Sequence, residues 1–176
     1  MAIHAPQIEA LALGGTELIV AATLPCLEEA RGIASLLARS GVSWILSFVV
    51  RRNGTLLDET PLAEAIERID DEVACAPLGY SINCVHPDVF RAAVERAGEA
   101  ASRIVALQAN ASALSPEELD GRESVEGDDP AAWAAAMLEA KRAASIPIVG
   151  GCCGTSPAHM RALAEALGDA PSRSLR

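Results

Sequence analysis

The chain has 176 residues, 51% hydrophobic and 22% charged, with aromatics at 3% and a formal net charge of −10. Those values describe a globular protein with core enough for one domain and too little for two. The acidic balance argues against a nucleic-acid surface or an anionic membrane face, and no apolar run approaches the ~20 residues of a membrane span.

Helical and strand patterns alternate from end to end, which marks βαβ units, right-handed crossovers and a parallel sheet. A helix is predicted near 5–14, followed by a strand over 17–23 and a helix over 26–40. A second strand, 43–49, leads through a polar turn around Asn53-Gly54-Thr55 to a helix over 61–72. The third strand, 78–83, ends at Cys84, and Pro87 opens a helix reaching about residue 100. The fourth strand, 103–109, runs into Ala111 to Asp129, rich in Ser, Glu, Asp and Gly; after the C-terminal end of a strand such a stretch reads as a loop on the active face or as a solvated acidic loop. A helix over 129–143, a strand over 146–150 and a helix over 157–168 complete the order. The tail 169–176, with Pro171-Ser172-Arg173-Ser174, is predicted to fray as a flexible terminus.

The last strand runs into Gly150-Gly151-Cys152-Cys153-Gly154-Thr155-Ser156-Pro157. Ser156 is a good N-cap and Pro157 a good first helical residue, so both sulfurs sit at a strand-to-helix corner. The helix dipole and free backbone N–H groups there are expected to lower the thiol pKa. Taken alone, the pair reads as a soft-metal site, a redox couple or small packed residues. Cys84 occupies an equivalent corner, so the two motifs fall at one end of the sheet. Three thiolates around Zn2+ at about 2.3 Å leave one open tetrahedral position, as catalytic zinc sites do. A vicinal thiol pair has no use in a phosphate-binding corner, the other function of a glycine-rich last strand.

Five cysteines, an odd number without regular spacing, and the lack of a basic-then-apolar leader predict a reducing, cytoplasmic setting. Cys26 and Cys75 have no motif around them and read as small buried residues. His86 is placed to approach the metal as a fourth ligand, which would close the site. His159 reads as a helix-face residue supporting the corner, and Asn83 as a cap of the following turn or a contact near the metal.

Ser81-Ile82-Asn83-Cys84 together with the double-cysteine motif resembles the homocysteine S-methyltransferase family, whose first motif is roughly Gly-Val-Asn-Cys and whose second is Gly-Gly-Cys-Cys. The pieces Glu17 to Pro25, Trp44 to Phe48, Asn53 to Asp58 and Ile104 to Asn110 follow in the family's order. The resemblance implies a (β/α)8 TIM barrel. With 176 residues and about five parallel strands the chain fits only part of one, family strands four to eight, with the first three βα units lacking a counterpart. Residues 1–176 would be a single homocysteine-binding-type domain.

The resemblance further implies zinc held by Cys84, Cys152 and Cys153, homocysteine as the incoming thiol, and a methyl donor such as methylfolate, betaine, S-methylmethionine or S-adenosylmethionine. No catalytic residue is implied beyond the metal site. Thr23 and Asn83 would contact the substrate. Thr23 stands where the family carries Glu-Thr, a pair resembling an amino-group and carboxylate binder, and Ala22 takes the Glu position here. No nucleic acid or membrane is expected as a partner. Open sheet edges predict cover by a partner chain or a second copy. The function so implied is methyl transfer to homocysteine giving methionine, carried out as part of a longer parent or with a partner chain; the alternative is a non-catalytic zinc-binding half-barrel remnant or interaction domain.

Overall fold

The alternating pattern produces one five-stranded sheet. The computed structural model describes residues 3–114, 118 and 127–168. Its strands are β1 (Leu18–Leu24), β2 (Ser43–Phe48), β3 (Gly79–Val85), β4 (Ile104–Ala109) and β5 (Ile148–Gly151). The helices are α1 (Ala5–Leu13), α2 (Leu27–Leu37), α3 (Leu62–Glu72), α4 (Pro87–Ala97), α5 (Pro130–Ala144) and α6 (Pro157–Gly168). The strands lie in the order β1-β2-β3-β4-β5, every neighbouring pair parallel. No strand is skipped, so the sheet is wound in one direction, as in a barrel, and has none of the order reversal of a doubly wound fold. The result is a partial TIM-like barrel.

One face of the sheet packs on the helices. Trp44, Leu46, Phe48, Tyr80, Ile82 and Leu107 enter the core from the strands, all 2% exposed or less. Phe48 and Tyr80 stack across β2 and β3 with ring centroids 5.9 Å apart. The helices answer with apolar stripes at helical spacing, such as Leu62, Ala65, Ile66 and Ile69 on α3. The scarcity of aromatics is met by alanine, with Ala30, Ala34, Ala65, Ala93 and Ala140 fully buried where helix and sheet approach closely.

The opposite face is the concave side of the unclosed barrel. Register places Val20, Ile45 and Gly79 in one row, and Ser47, Ser81, Ala106 and Ile148 in the next. Toward the two edges this face is open, Val20 being 46% and Ile148 51% exposed.

Two strands break register at their C-terminal ends. β1 shifts between Ala21 and Leu24, where Thr23 has φ 64°, and β3 shifts between Asn83 and Val85, where Cys84 has φ 59°. Such irregularities re-aim side chains at the rim. The sequence predicts that β3 ends before Cys84; it continues to Val85, with Cys84 inside the irregularity. The helix predicted to reach residue 100 stops at Ala97, because Gly98 takes φ 56°, and a 3-10 turn (Gly98–Arg103) follows.

Helix α2 receives its cap from outside its own segment. Cys26 at the N-cap offers no side-chain bond, and Asp58 Oδ2 accepts from Leu27 N at 2.9 Å. Burial would raise the Asp58 pKa, but the backbone N–H groups of Leu27 and Thr60 outweigh it and hold the carboxyl below its usual range. The expectation of two buried packing cysteines is not met, since Cys26 is half-buried in this junction and Cys75 is exposed in the loop before β3. Neither position lies on the apolar stripe of an element. Most of the acidic stretch, 115–117 and 119–126, and the tail 169–176 lie outside the described residues.

Candidate metal centre

The C-terminal ends of β3, β4 and β5 carry the site. β5 ends at Gly151, where a Cβ would overlap Thr155 Oγ1, so only glycine lets the chain double back this tightly. Cys152 to Thr155 then forms a turn, with Thr155 N and Oγ1 both donating to Cys152 O at 3.2 and 2.7 Å. Gly154 supplies the left-handed φ of 76° in that turn. Cys152 N donates to Ala109 O at 2.7 Å, which fixes the corner to β4.

Cys84 reaches the same place from β3. Its Sγ lies 3.6 Å from Cys153 Sγ, Cys152 and Cys153 Sγ are 4.0 Å apart, and all three sulfurs fall within 4.8 Å of one another. Among the described residues this is the one such cluster of potential metal ligands. Tetrahedral zinc with Zn–S bonds of about 2.3 Å separates its sulfurs by about 3.8 Å, so the donor set and its spacing fit that ion. The three are half-buried, half-buried and exposed in the order Cys84, Cys152, Cys153, which leaves the cluster accessible from the rim.

Without a cation Cys84 resists ionisation. Burial pushes the Cys84 thiol up to about 12; the hydrogen bond with Cys153 and the charges of Cys152 and Cys153 add to this, and a hydrogen bond from Asn110 opposes it. For Cys84 this reverses the expected lowering at a helix corner. Strand β3 continues past Cys84, and the thiol is held among other sulfurs. Three thiolates in such a space need a positive ion between them.

Asn110, at the end of β4, was not singled out by sequence reasoning. Its Oδ1 accepts from Cys153 N at 3.1 Å, its side chain also bonds Cys84, and its own carbonyl accepts from Trp133 Nε1 at 3.0 Å. A polar residue directly after a strand of the parallel set is the signal that could have found it.

Both rings of the candidate histidines are committed elsewhere. His86 Nδ1 accepts from Asp88 N at 3.3 Å and its Nε2 meets Asp128 Oδ2 at 2.9 Å. With no ring nitrogen to spare, His86 does not serve as the fourth ligand considered from its spacing. His159 lies buried on the first turns of α6, edge-on to Trp133 at 5.5 Å, as a residue supporting the corner.

Thr23 and Asn83 meet at the neighbouring rim. Asn83 Oδ1 accepts from Thr23 N at 2.9 Å and from Ser47 Oγ at 2.7 Å, and its Nδ2 donates to Thr23 Oγ1 at 2.8 Å. Asn83 is 3% exposed, whereas Thr23 and Ala22 face solvent. A β-branched residue at positive φ is costly, and the clamp from Asn83 holds Thr23 there. The described ends of the acidic stretch adjoin the site, with Ala111 N donating to Cys153 O at 3.0 Å.

Comparison with known proteins agrees with this geometry. The family model described as Homocysteine S-methyltransferase matches residues 1–167. The chain is 27% identical to Homocysteine S-methyltransferase YbgG of Bacillus subtilis over 171 residues, 92% of this chain and 50% of that protein. It is 29% identical to an Escherichia coli Homocysteine S-methyltransferase over 169 residues, 92% and 51% of the two chains. The crystal structure of the Homocysteine Methyltransferase MmuM from Escherichia coli, in its metallated form, superposes with a TM-score of 0.69 at 27% identity, covering 92% of this chain and 49% of that one. The chain thus spans about half the length of the curated relatives it matches.

Proposed function

The chain belongs to the homocysteine S-methyltransferase family, and on that footing we propose that it serves zinc-dependent transfer of a methyl group to the thiol of homocysteine, giving methionine. The observation that carries this reading is the meeting of Cys84, Cys152 and Cys153 within 4.8 Å at an accessible rim.

Cys84, Cys152 and Cys153 are the residues that would hold the ion. Zinc there would supply a centre that keeps an incoming thiol deprotonated while three thiolates against a divalent cation leave it electron-rich. Asn110 fixes the backbone of Cys153 and touches Cys84, so the sulfurs are placed before a metal arrives. The ring nitrogens of His86 and His159 are taken up by hydrogen bonds, so neither competes for the fourth position proposed for substrate. Thr23, exposed at the rim, is the proposed substrate contact, with Asn83 beneath it fixing its backbone. The substrate sulfur forms the new bond to the methyl carbon while the donor keeps the electron pair of the bond that breaks; the chain contributes alignment of sulfur, methyl and leaving group. Free cysteines at all five positions accord with a cytoplasmic setting. No described helix is long and apolar enough to cross a membrane.

A second reading, a zinc-binding half-barrel without turnover, is favoured by one feature. The concave face exposes Val20 and Ile148, and among the described residues β1 and β5 are edge strands without a further strand beside them, a surface that a partner chain or a second copy would cover. Metal analysis and a methyl-transfer assay separate the readings. We expect about one zinc per chain, and methionine formed from homocysteine with one of the family's donors where a partner chain covers the open face, both lost in Cys152→Ser. Zinc without turnover from any donor favours the second reading, and an intact fold that takes up no zinc contradicts both.

A further inference from the structure

We propose that Asp128 is a positioning residue for the three-cysteine site, a clasp on which the two sulfur-bearing corners of the barrel rim are both fastened. The proposal rests on the zinc reading above and extends it to a residue outside the metal's own shell.

The fastening is made by two buried imidazoles. Asp88 N donates to His86 Nδ1 at 3.3 Å, so the ring proton sits on Nε2 and is donated to Asp128 Oδ2 at 2.9 Å. Ser156 N donates to His159 Nδ1 at 3.2 Å, with Ser156 Oγ 2.9 Å from the same nitrogen. That ring therefore donates from Nε2 to Asp128 O at 3.0 Å. The rings are 5% and 8% exposed. His86 follows Cys84 by two positions, and Ser156 precedes α6 three positions after Cys153. One residue thus receives a bond from each corner, its carboxylate from the β3 side and its carbonyl from the β5 side.

Asp128 is itself held in place. Its N–H donates to Ala111 O at 2.9 Å, and Ala111 N donates to Cys153 O at 3.0 Å, so the strap returns to the site. Gly127 lets the two segments touch, since a Cβ there would lie 3.0 Å from Ala111 Cβ. On the other side Asp129 caps α5, with Oδ1 accepting from Ala131 N and Ala132 N at 3.0 and 3.2 Å. Sulfurs carried on separate strands have no covalent reason to stay 3.6 Å apart, and mutual repulsion of thiolates drives them apart. Bonds to a common anchor hold that spacing ready for the ion.

The test measures zinc affinity by chelator competition, and the sulfur-to-metal charge-transfer band of the Co2+-loaded protein, in the wild type, Asp128→Asn, Asp128→Ala and His159→Phe. Asp128→Asn keeps an oxygen for His86 and should bind within about threefold of wild type, whereas Asp128→Ala should bind about 10–100-fold more weakly with an altered band. His159→Phe keeps the ring against Trp133 and loses only the nitrogens. It should weaken binding likewise, and it carries the test if Asp128→Ala does not fold. Wild-type affinity and an unchanged band in both variants overturn the proposal. A wild-type chain that takes up no metal contradicts the zinc reading instead. The clasp is then judged on the metal-free protein by the ring-nitrogen NMR signals of His86 and His159: protons on both Nε2 atoms support it, and protons on Nδ1 overturn it.

Discussion

Cys84 concentrates the electrostatics of the site. Its thiol, ordinarily near 9.0, is pushed up to about 12 by burial and then by its sulfur neighbours. Between those values the folded metal-free chain retains a proton that the unfolded chain has released, so its stability falls as pH rises through the window. Urea midpoints of metal-free protein at about pH 8 and about pH 10.5 should show a larger loss for wild type than for Cys84→Ser; equal losses would contradict this account. Zinc affinity moves in the opposite sense and rises with pH, because the ion must displace that proton. The clustering of the three cysteines was legible in sequence because the motifs carrying them stand at strand ends. The direction of the Cys84 shift was not, since it follows from a left-handed residue inside β3 and from sulfurs that only the fold brings near. Asn110 and Asp128 escaped for the same reason: their importance lies in partners far along the chain.

At the scale of elements, Asn83 is the pin that holds β1, β2 and β3 together at the rim. Replacing it with Ala leaves Ser47 Oγ, on a fully buried residue, and Thr23 N without their partner, and should cost about 1–3 kcal/mol in urea unfolding. It should also release Thr23 from positive φ, visible as faster amide exchange there; an unchanged midpoint would contradict the pinning role. Strand and helix positions were readable from periodicity, because parallel strands buried against helices give short apolar runs separated by amphipathic stripes. The bulges at Thr23 and Cys84 were not, because nothing in the residue types demands a positive φ at a threonine or a cysteine. Capping of α2 by Asp58 was hidden as well, since the donor and the acceptor lie 31 residues apart.

For the whole molecule, three sulfurs gathered only by the sequential strand order would make zinc binding and folding one linked equilibrium. Zinc at about 1,000 times its dissociation constant should add roughly 4 kcal/mol. For a chain of this size that corresponds to a rise of about 8–16 °C in Tm, measured by calorimetry with and without metal; no rise would mean that the sulfurs are not gathered by the ion. The fold class was legible because the βα alternation runs unbroken, and the open face followed from a strand count too small to close a barrel; which residues line that face follows from register and becomes evident only in three dimensions. A three-sulfur centre with room for one more thiol is tested most directly by zinc X-ray absorption of the loaded protein, before and after adding homocysteine. Three sulfurs at about 2.3 Å with one lighter ligand, becoming four sulfurs on addition, is the predicted result. A centre already filled by four protein atoms and unmoved by homocysteine, or one with fewer than three sulfurs, would contradict it.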